Sequence, residues 1–160
     1  MEYDVIIVGS GVIGAAMGFE LSKAGFKTLN IDKNHDAGTG STSASCAIIR
    51  VHYSTLDGSA LAYEGYFDWK NWAEYLGVKD DQGMAKFVEC GCLVMETEQN
   101  GFLEKHKTIC SSLNVPFDEW NSQVIKEKLP FYNQDSFAPV KRIDQDGFGE
   151  PNGSHINSGV

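Results

Sequence analysis

Gly9, Gly11 and Gly14 stand in a G-x-G-x-x-G spacing directly after the apolar run Val5, Ile6, Ile7 and Val8. No other feature so narrows the folds open to this chain. A glycine triplet alone is common by chance. It gains meaning when a strand precedes it, a helix follows it and an acid comes about twenty residues on. Residues 3–8 read as a short buried parallel strand stopped by glycine. Residues 11–24 then take a helical pattern, with Ile13, Met17, Phe19 and Leu21 as bulk and Gly25 where a helix C-cap is expected. Residues 28–31 make a second strand that ends at Asp32. The result is a β-α-β unit, whose crossover makes the strands parallel and right-handed neighbours.

In such a unit each residue of the turn has its own task. Gly9 permits the tight turn, Gly11 lets the backbone approach a pyrophosphate without a Cβ clash, and Gly14 lets helix and strand pack closely. The amides near Val12 and Ile13 face the phosphates at the positive end of the helix dipole. Asp32, with Lys33 beside it, lies where a carboxylate accepts hydrogen bonds from the adenosine ribose hydroxyls. That carboxylate disfavours a 2′-phosphate, and so NADP. The spacing leaves FAD and NAD both open.

The rest of the chain reads less sharply. Residues 34–45 lack periodicity and are rich in Gly, Ser and Thr, as expected of a loop. A short helix is expected to begin within residues 45–50, and a stronger one spans residues 59–76. Its aromatic stripe of Tyr63, Phe67, Trp69 and Trp72 is read as packing on a core. Residues 86–90 and 92–96 look like antiparallel strands about Gly91. Residues 101–113 are helical, 115–117 form a brief strand, and Asn121 caps a helix running to Leu129, which Pro130 stops. Residues 150–160 are polar and glycine-rich, with no terminal element expected.

Bulk properties exclude several classes. Hydrophobic residues make up 42% and charged residues 22% of 160 residues, the balance of a globular chain of about one domain. A formal net charge of −9, with no basic cluster, argues against nucleic-acid or anionic-membrane partners. No secretory signal or membrane span is legible. Cys46, Cys90, Cys92 and Cys110 show no zinc-site spacing, so no metal is expected, and they read as reduced thiols of a cytoplasmic protein. Cys90 and Cys92, two apart on an expected strand, share a face and are read as packing rather than as a redox pair.

Residues 4–33, followed by Gly40, Ser41, Thr42, Ser43, Ala44 and Ser45, resemble the FAD-dependent amine oxidases of the D-amino-acid oxidase superfamily. The likeness is to sarcosine oxidases, including the β-subunit type, and to glycine and dimethylglycine oxidising enzymes. Ile48, Ile49, Arg50, Val51, His52 and Tyr53 are similar to the Ile-Ile-Arg-x-x-Tyr of monomeric sarcosine oxidases. Gly91, Cys92, Leu93 and Val94 resemble a Gly-x-Leu-x segment of the family.

The resemblance implies FAD as cofactor, with Ser41, Thr42, Ser43 and Cys46 in a loop around its pyrophosphate and ribityl chain. It implies that Arg50 contacts a substrate carboxylate, a role that suits a permanently charged bidentate donor. Following apolar residues, Arg50 is expected to be partly buried, with a structural ion pair as the alternative role. Ala47 stands where monomeric sarcosine oxidases carry a second arginine, which weakens the case for sarcosine itself. His52 reads as a packing residue more readily than as a base or flavin tether.

The fold class implied is α/β: a Rossmann-type FAD-binding unit with the beginning of a mixed α+β substrate domain, incomplete as it stands. Residues 1–85 would be the N-terminal part of the FAD domain with its helical extension, and residues 86–160 the start of a discontinuous substrate domain. The activity implied is oxidation of a carboxylate-bearing amine (sarcosine, glycine or D-amino-acid type) by hydride transfer to flavin. Family members are considerably longer, so these 160 residues are expected to be inactive alone. Two alternatives stay open: a non-catalytic NAD- or ADP-binding module, and a subunit completed by a partner chain.

Overall fold

The computed structural model describes residues 2–81 and 83–160, which divide into two compact units, residues 1–48 and 49–160. In the first, β1 (Val5–Val8), α1 (Val12–Lys23) and β2 (Thr28–Ile31) follow one another, and β1 pairs with β2 in parallel, Val5 opposite Thr28 and Val8 opposite Ile31. The helix ends where glycine permits it. Gly25 has φ +89°, its amide donates to the Ser22 carbonyl, and the Phe26 amide reaches the Leu21 carbonyl. These are the two bonds of a Schellman cap, which satisfies carbonyls the helix leaves open.

Packing between α1 and the strands is a matter of glycine and one asparagine. Gly14 and Gly18 are buried on the inner face of α1, beside Ile7. A Cβ at Gly14 would collide with the Gly9 carbonyl oxygen, and one at Gly18 would lie 2.8 Å from Asn30 Oδ1. Asn30 Nδ2 in turn donates to the Gly14 carbonyl at 2.9 Å. Strand and helix thus touch at backbone distance. Ile6, Val8 and Ile31 of the sheet are exposed.

The second unit is built from α2 (Leu56–Lys70), α3 (Trp72–Leu76), α4 (Glu104–Ser112), β3 (Trp120–Asn121), α5 (Ser122–Lys128) and β4 (Ser158–Gly159). The helix expected over residues 59–76 starts earlier because Thr55 caps it, its hydroxyl accepting from the Gly58 amide at 3.2 Å. It breaks at Asn71, whose φ of −108° and ψ of +36° are not helical. Asn121 caps α5 as expected, accepting from the Val124 amide at 3.0 Å. A 3₁₀ turn over Glu98–Leu103 precedes α4, because Gly101, Phe102 and Leu103 all have left-handed φ, and the helix starts three residues later than its pattern suggests.

Several expectations are corrected. Residues 45–50 form no helix: Ala47 has φ +52°, which a right-handed helix cannot accommodate. Residues 86–90 and 92–96 form no hairpin, since Gly91 turns the chain with φ +75° and Val94 pairs instead with Val160. The segment 115–117 is not a strand. The C-terminal residues do form an element: β4 pairs antiparallel with β3, Trp120 opposite Gly159, while Met95 bridges to Gly159 from the other side.

The buried apolar residues of this unit, Leu103, Ile109, Cys110, Val115 and Ile125, lie on or beside α4 and α5. The aromatic stripe meets this core only in part, through half-buried Tyr63, which lines a cavity with Leu103, Cys110 and Val115. Phe67 is exposed, and Trp69, Trp72 and Tyr75 stack on one another, with centroids 4.7 and 5.5 Å apart. Among the described residues no helix is long and apolar enough to cross a membrane.

Candidate dinucleotide site and amine-oxidase residues

The β1–α1 turn and the loop after β2 enclose a cleft of about 930 Å³ within the first unit. Gly9, Gly11, Val12, Ile13, Gly14, Asp32, Lys33, Ser41 and Thr42 all line it. Gly9 sits at φ +109°, open to glycine and few others, and its amide bonds the Ile31 carbonyl at 2.7 Å. Gly11 precedes α1 and offers no side-chain cap. The first amide of the helix, Val12 N–H, donates to Thr42 Oγ1 at 2.9 Å. A Cβ on Gly11 would stand 2.9 Å from that same hydroxyl, so glycine keeps the helix start open to an oxygen.

Asp32 joins both sides of the turn. Its Oδ2 accepts from the Ser10 amide at 2.7 Å and its Oδ1 from the Asn34 amide at 2.8 Å. These two bonds, the Ser10 one foremost, hold its carboxyl below the usual range, so the side chain is an anion at neutral pH. The loop closes over the turn through the Gly38 amide, which donates to the Ser10 carbonyl at 2.9 Å.

Ser43 lies in the same loop, with its hydroxyl donating to the Gly40 carbonyl at 3.0 Å, and it does not line the cleft. Cys46 is an exposed free thiol and does not line it either. Lys33 is exposed at the rim. Sequence reasoning missed Gly18 and Asn30. A G-x-x-x-G spacing from Gly14 and a polar residue inside an apolar strand were the signs available.

The second unit has a cavity of its own, about 390 Å³, lined by Arg50, His52, His106, Tyr63, Phe87 and Phe117 among others. Arg50 is exposed rather than partly buried, and its guanidinium carbon lies 5.4 Å from the centre of the Tyr53 ring. No carboxylate among the described residues is within ion-pair distance of it, so the structural ion pair is not formed.

His52 is half-buried and meets His106 edge-on at 6.1 Å. Burial, then the His106 and Arg50 charges, push its pKa below the ordinary histidine value, which favours the neutral ring. The segment carrying both residues is pinned by Ser59. That side chain is fully buried, accepting from the Tyr53 amide at 2.9 Å and donating to the Tyr53 carbonyl at 3.2 Å. Among the described residues no group of three or more His, Cys, Asp or Glu is placed to hold a metal ion.

A parallel β-α-β unit with this turn, carboxylate and covering loop defines a dinucleotide-binding class of protein. The family of FAD dependent oxidoreductases matches residues 4–159, nearly the whole chain. The chain belongs to that family. It is 29% identical over 136 residues to N-methyl-L-tryptophan oxidases from Yersinia pestis and Yersinia pseudotuberculosis, covering 82% of this chain and 34% of theirs. In structure it is similar to L-proline dehydrogenase from P. horikoshii, with a TM-score of 0.72 and 19% identity, over 99% of this chain and 36% of that one. The chain therefore spans about a third of the length of these relatives.

Proposed function

We propose that the whole protein to which these residues belong is an FAD-dependent amine oxidoreductase acting on a carboxylate-bearing amine. The observation that carries this reading is the cleft of the first unit, where turn, carboxylate and Gly-Ser loop converge on an open helix start in a chain of this family. The residues fit the group. Gly11 and Gly14 leave room at backbone distance, Thr42 already presents an oxygen to Val12 N–H, and Asp32 is ionised for ribose hydroxyls. Val12 and Ile13 amides, with Ser41 and Thr42, would hold the pyrophosphate. Ser43, Lys33 and Cys46 are assigned to the loop's outer contacts. In this reading the β-α-β unit is the start of a Rossmann-type domain, with residues 1–85 serving the cofactor and 86–160 opening the substrate domain.

Bound there, FAD would accept the two electrons removed when the substrate's Cα–N bond is oxidised to an imine, which water then hydrolyses. The chain's own part is to bind and orient. Arg50, permanently charged and without a carboxylate partner among the described residues, would hold the substrate carboxylate, with Tyr53 beneath it. The relatives act on N-methyl-L-tryptophan and L-proline by name, and a secondary amino acid is the substrate class we assign here. A cytoplasmic setting belongs to the same reading and agrees with four unpaired cysteines.

These residues alone are assigned no turnover. Exposed Ile6, Val8 and Ile13 belong under further structure, whether from the same polypeptide or from a partner subunit. The test is anaerobic mixing of the full-length protein with N-methyl and cyclic secondary amino acids and with their methyl esters. Free acids should bleach the flavin band and esters should not, and Arg50→Gln should raise KM far more than it lowers kcat. Equal bleaching by acid and ester would remove Arg50 from the account. No bleaching by any amine would remove the activity.

A further inference from the structure

Cys90 and Cys92 are both free and exposed, and they line the second unit's cavity, as does the buried Cys110. Their exposure removes the packing role that a strand would have given them. The backbone around them is not an extended strand. The Cys90 amide donates to the Val88 carbonyl two residues back at 3.0 Å, and Gly91 follows with φ +75°. Nothing lies within 4 Å of where a Gly91 Cβ would be, so this glycine is required by its backbone conformation and not by crowding.

That conformation matters for the two sulfurs. Alternate Cα atoms of an extended strand lie about 6.6 Å apart, near the outer limit of the roughly 4.4–6.8 Å that a disulfide spans. Gly91, with a left-handed φ between them, takes the chain out of that extended geometry. Cys110 provides a contrast in the same cavity: it is buried, and burial pushes its thiol pKa up, which keeps it protonated and inert. Cys46, exposed but in the other unit, has no cysteine neighbour in sequence.

We propose that Cys90 and Cys92 form an oxidisable dithiol that closes to a disulfide across Gly91 when the protein meets hydrogen peroxide. One thiolate attacks the peroxide, an S–O bond forms, the O–O bond breaks, and the departing hydroxide leaves as water with the thiol's proton. The second thiolate attacks the resulting sulfenic sulfur, the S–S bond forms, the S–O bond breaks, and a second water leaves. In sum two thiols and one peroxide give one disulfide and two waters. The ring ties down the cavity's edge, and an external dithiol reopens it. The proposal does not depend on the flavin reading, since the oxidant is peroxide from any source.

The test is peptide mass spectrometry of the reduced, folded chain treated with stoichiometric peroxide and quenched with an alkylating agent. The peptide holding residues 90 and 92 should lose about 2 Da and resist alkylation, and a dithiol should reverse both. Cys46→Ser should leave this unchanged. Cys92→Ser should abolish the loss and leave a sulfenic acid on Cys90 that a dimedone probe traps. Gly91→Ala, strained at positive φ, should cut the disulfide yield several-fold while both thiols still alkylate before oxidation. Stepwise oxygen addition to the two sulfurs without the 2 Da loss, or disulfides only between chains, would overturn the proposal. So would a yield indifferent to Gly91→Ala.

Discussion

The two units owe their geometry to different kinds of contact. In residues 1–48 the decisive positions are those where a side chain is missing. Gly14 and Gly18 bring α1 down on β1 and β2, Gly9 makes the turn, and Gly11 leaves the helix start open. In residues 49–160 the decisive positions are charged or polar, and most of them are distant in sequence. Lys107, only 14% exposed, gathers Glu96 at 3.0 Å, Glu104 at 2.9 Å and Glu119 at 3.1 Å. Ser158 donates to Glu96 Oε2 at 2.7 Å, and Val94 exchanges both backbone bonds with Val160. Near the cavity, Tyr66 and Lys70 of α2 both bond Glu89, tying the segment before Gly91 to a helix. A glycine spacing is local and legible, whereas an ionic hub is set by pairings that a single sequence does not display.

The comparison breaks most visibly at Gly14. Gly14→Val forces a side chain into the Gly9 carbonyl, and overpacking of this sort costs about 3 kcal/mol. The urea midpoint should fall accordingly, and amide exchange should quicken first in Val5–Val8 and Thr28–Ile31. Uniform quickening across the whole chain would show that the contact is not local.

Next comes the hub. Lys107→Met leaves the Glu96 carboxylate, whose side chain is 9% exposed, without its cation. The expected cost is roughly 1–2 kcal/mol, below that of a fully buried pair because Glu104 and Glu119 open the network to water. The hub also carries pH dependence. Burial pushes the Glu96 carboxyl up, but bonds from Ser158 and Lys107 outweigh it and hold its pKa below 4.5. Its stabilisation is therefore complete above that value and is lost as pH falls through the lower folded value. The Lys107 ammonium is shifted upward by its three carboxylates, Glu104 foremost, so its share is complete below 10.5 and lost only at higher pH. Chemical denaturation against pH should show an acid-side fall that shrinks in Lys107→Met. An unchanged fall would assign it to other carboxylates.

A smaller effect sharpens the contrast from the other side. Asn30→Ala removes the bond to the Gly14 carbonyl and should cost about 1 kcal/mol, read from the same denaturation midpoint. Smallest is Thr42→Val, which frees Val12 N–H and should cost about 0.5 kcal/mol. Its flavin affinity, followed by quenching of flavin fluorescence, should drop measurably more than its stability. Equal affinity in Thr42→Val would place Thr42 outside the cofactor's contacts.

Much of the first unit was legible because its elements are contiguous: apolar run, glycine turn, helix and second strand within residues 3–32. The contacts of Asp32 with Ser10 and of Thr42 with Val12 follow from that spacing once the unit is folded. Asn30 was not legible, since a polar residue in a strand is read as solvent-facing until a helix backbone is found beside it. In the second unit the helix caps Thr55 and Asn121 act within three residues, yet only Asn121 was read from the sequence. The strand at Ser158–Gly159 was hidden in a glycine-rich tail, because its partners are Trp120 and Met95. The left-handed conformations of Ala47, Phe102 and Leu103 are ones that these residue types do not announce; the first removed an expected helix and the other two delayed one.

The claim on which the functional account rests is that the glycine turn of the first unit holds FAD. An absorbance spectrum of the purified chain across the near-ultraviolet and visible, taken after adding FAD and desalting, tests it most directly. The account predicts flavin bands that stay with the chain and are lost in Gly11→Val, with NAD and ADP failing to displace them at equal concentration. A well-folded chain that keeps no flavin, or a Gly11→Val variant that keeps as much as the parent, would contradict it.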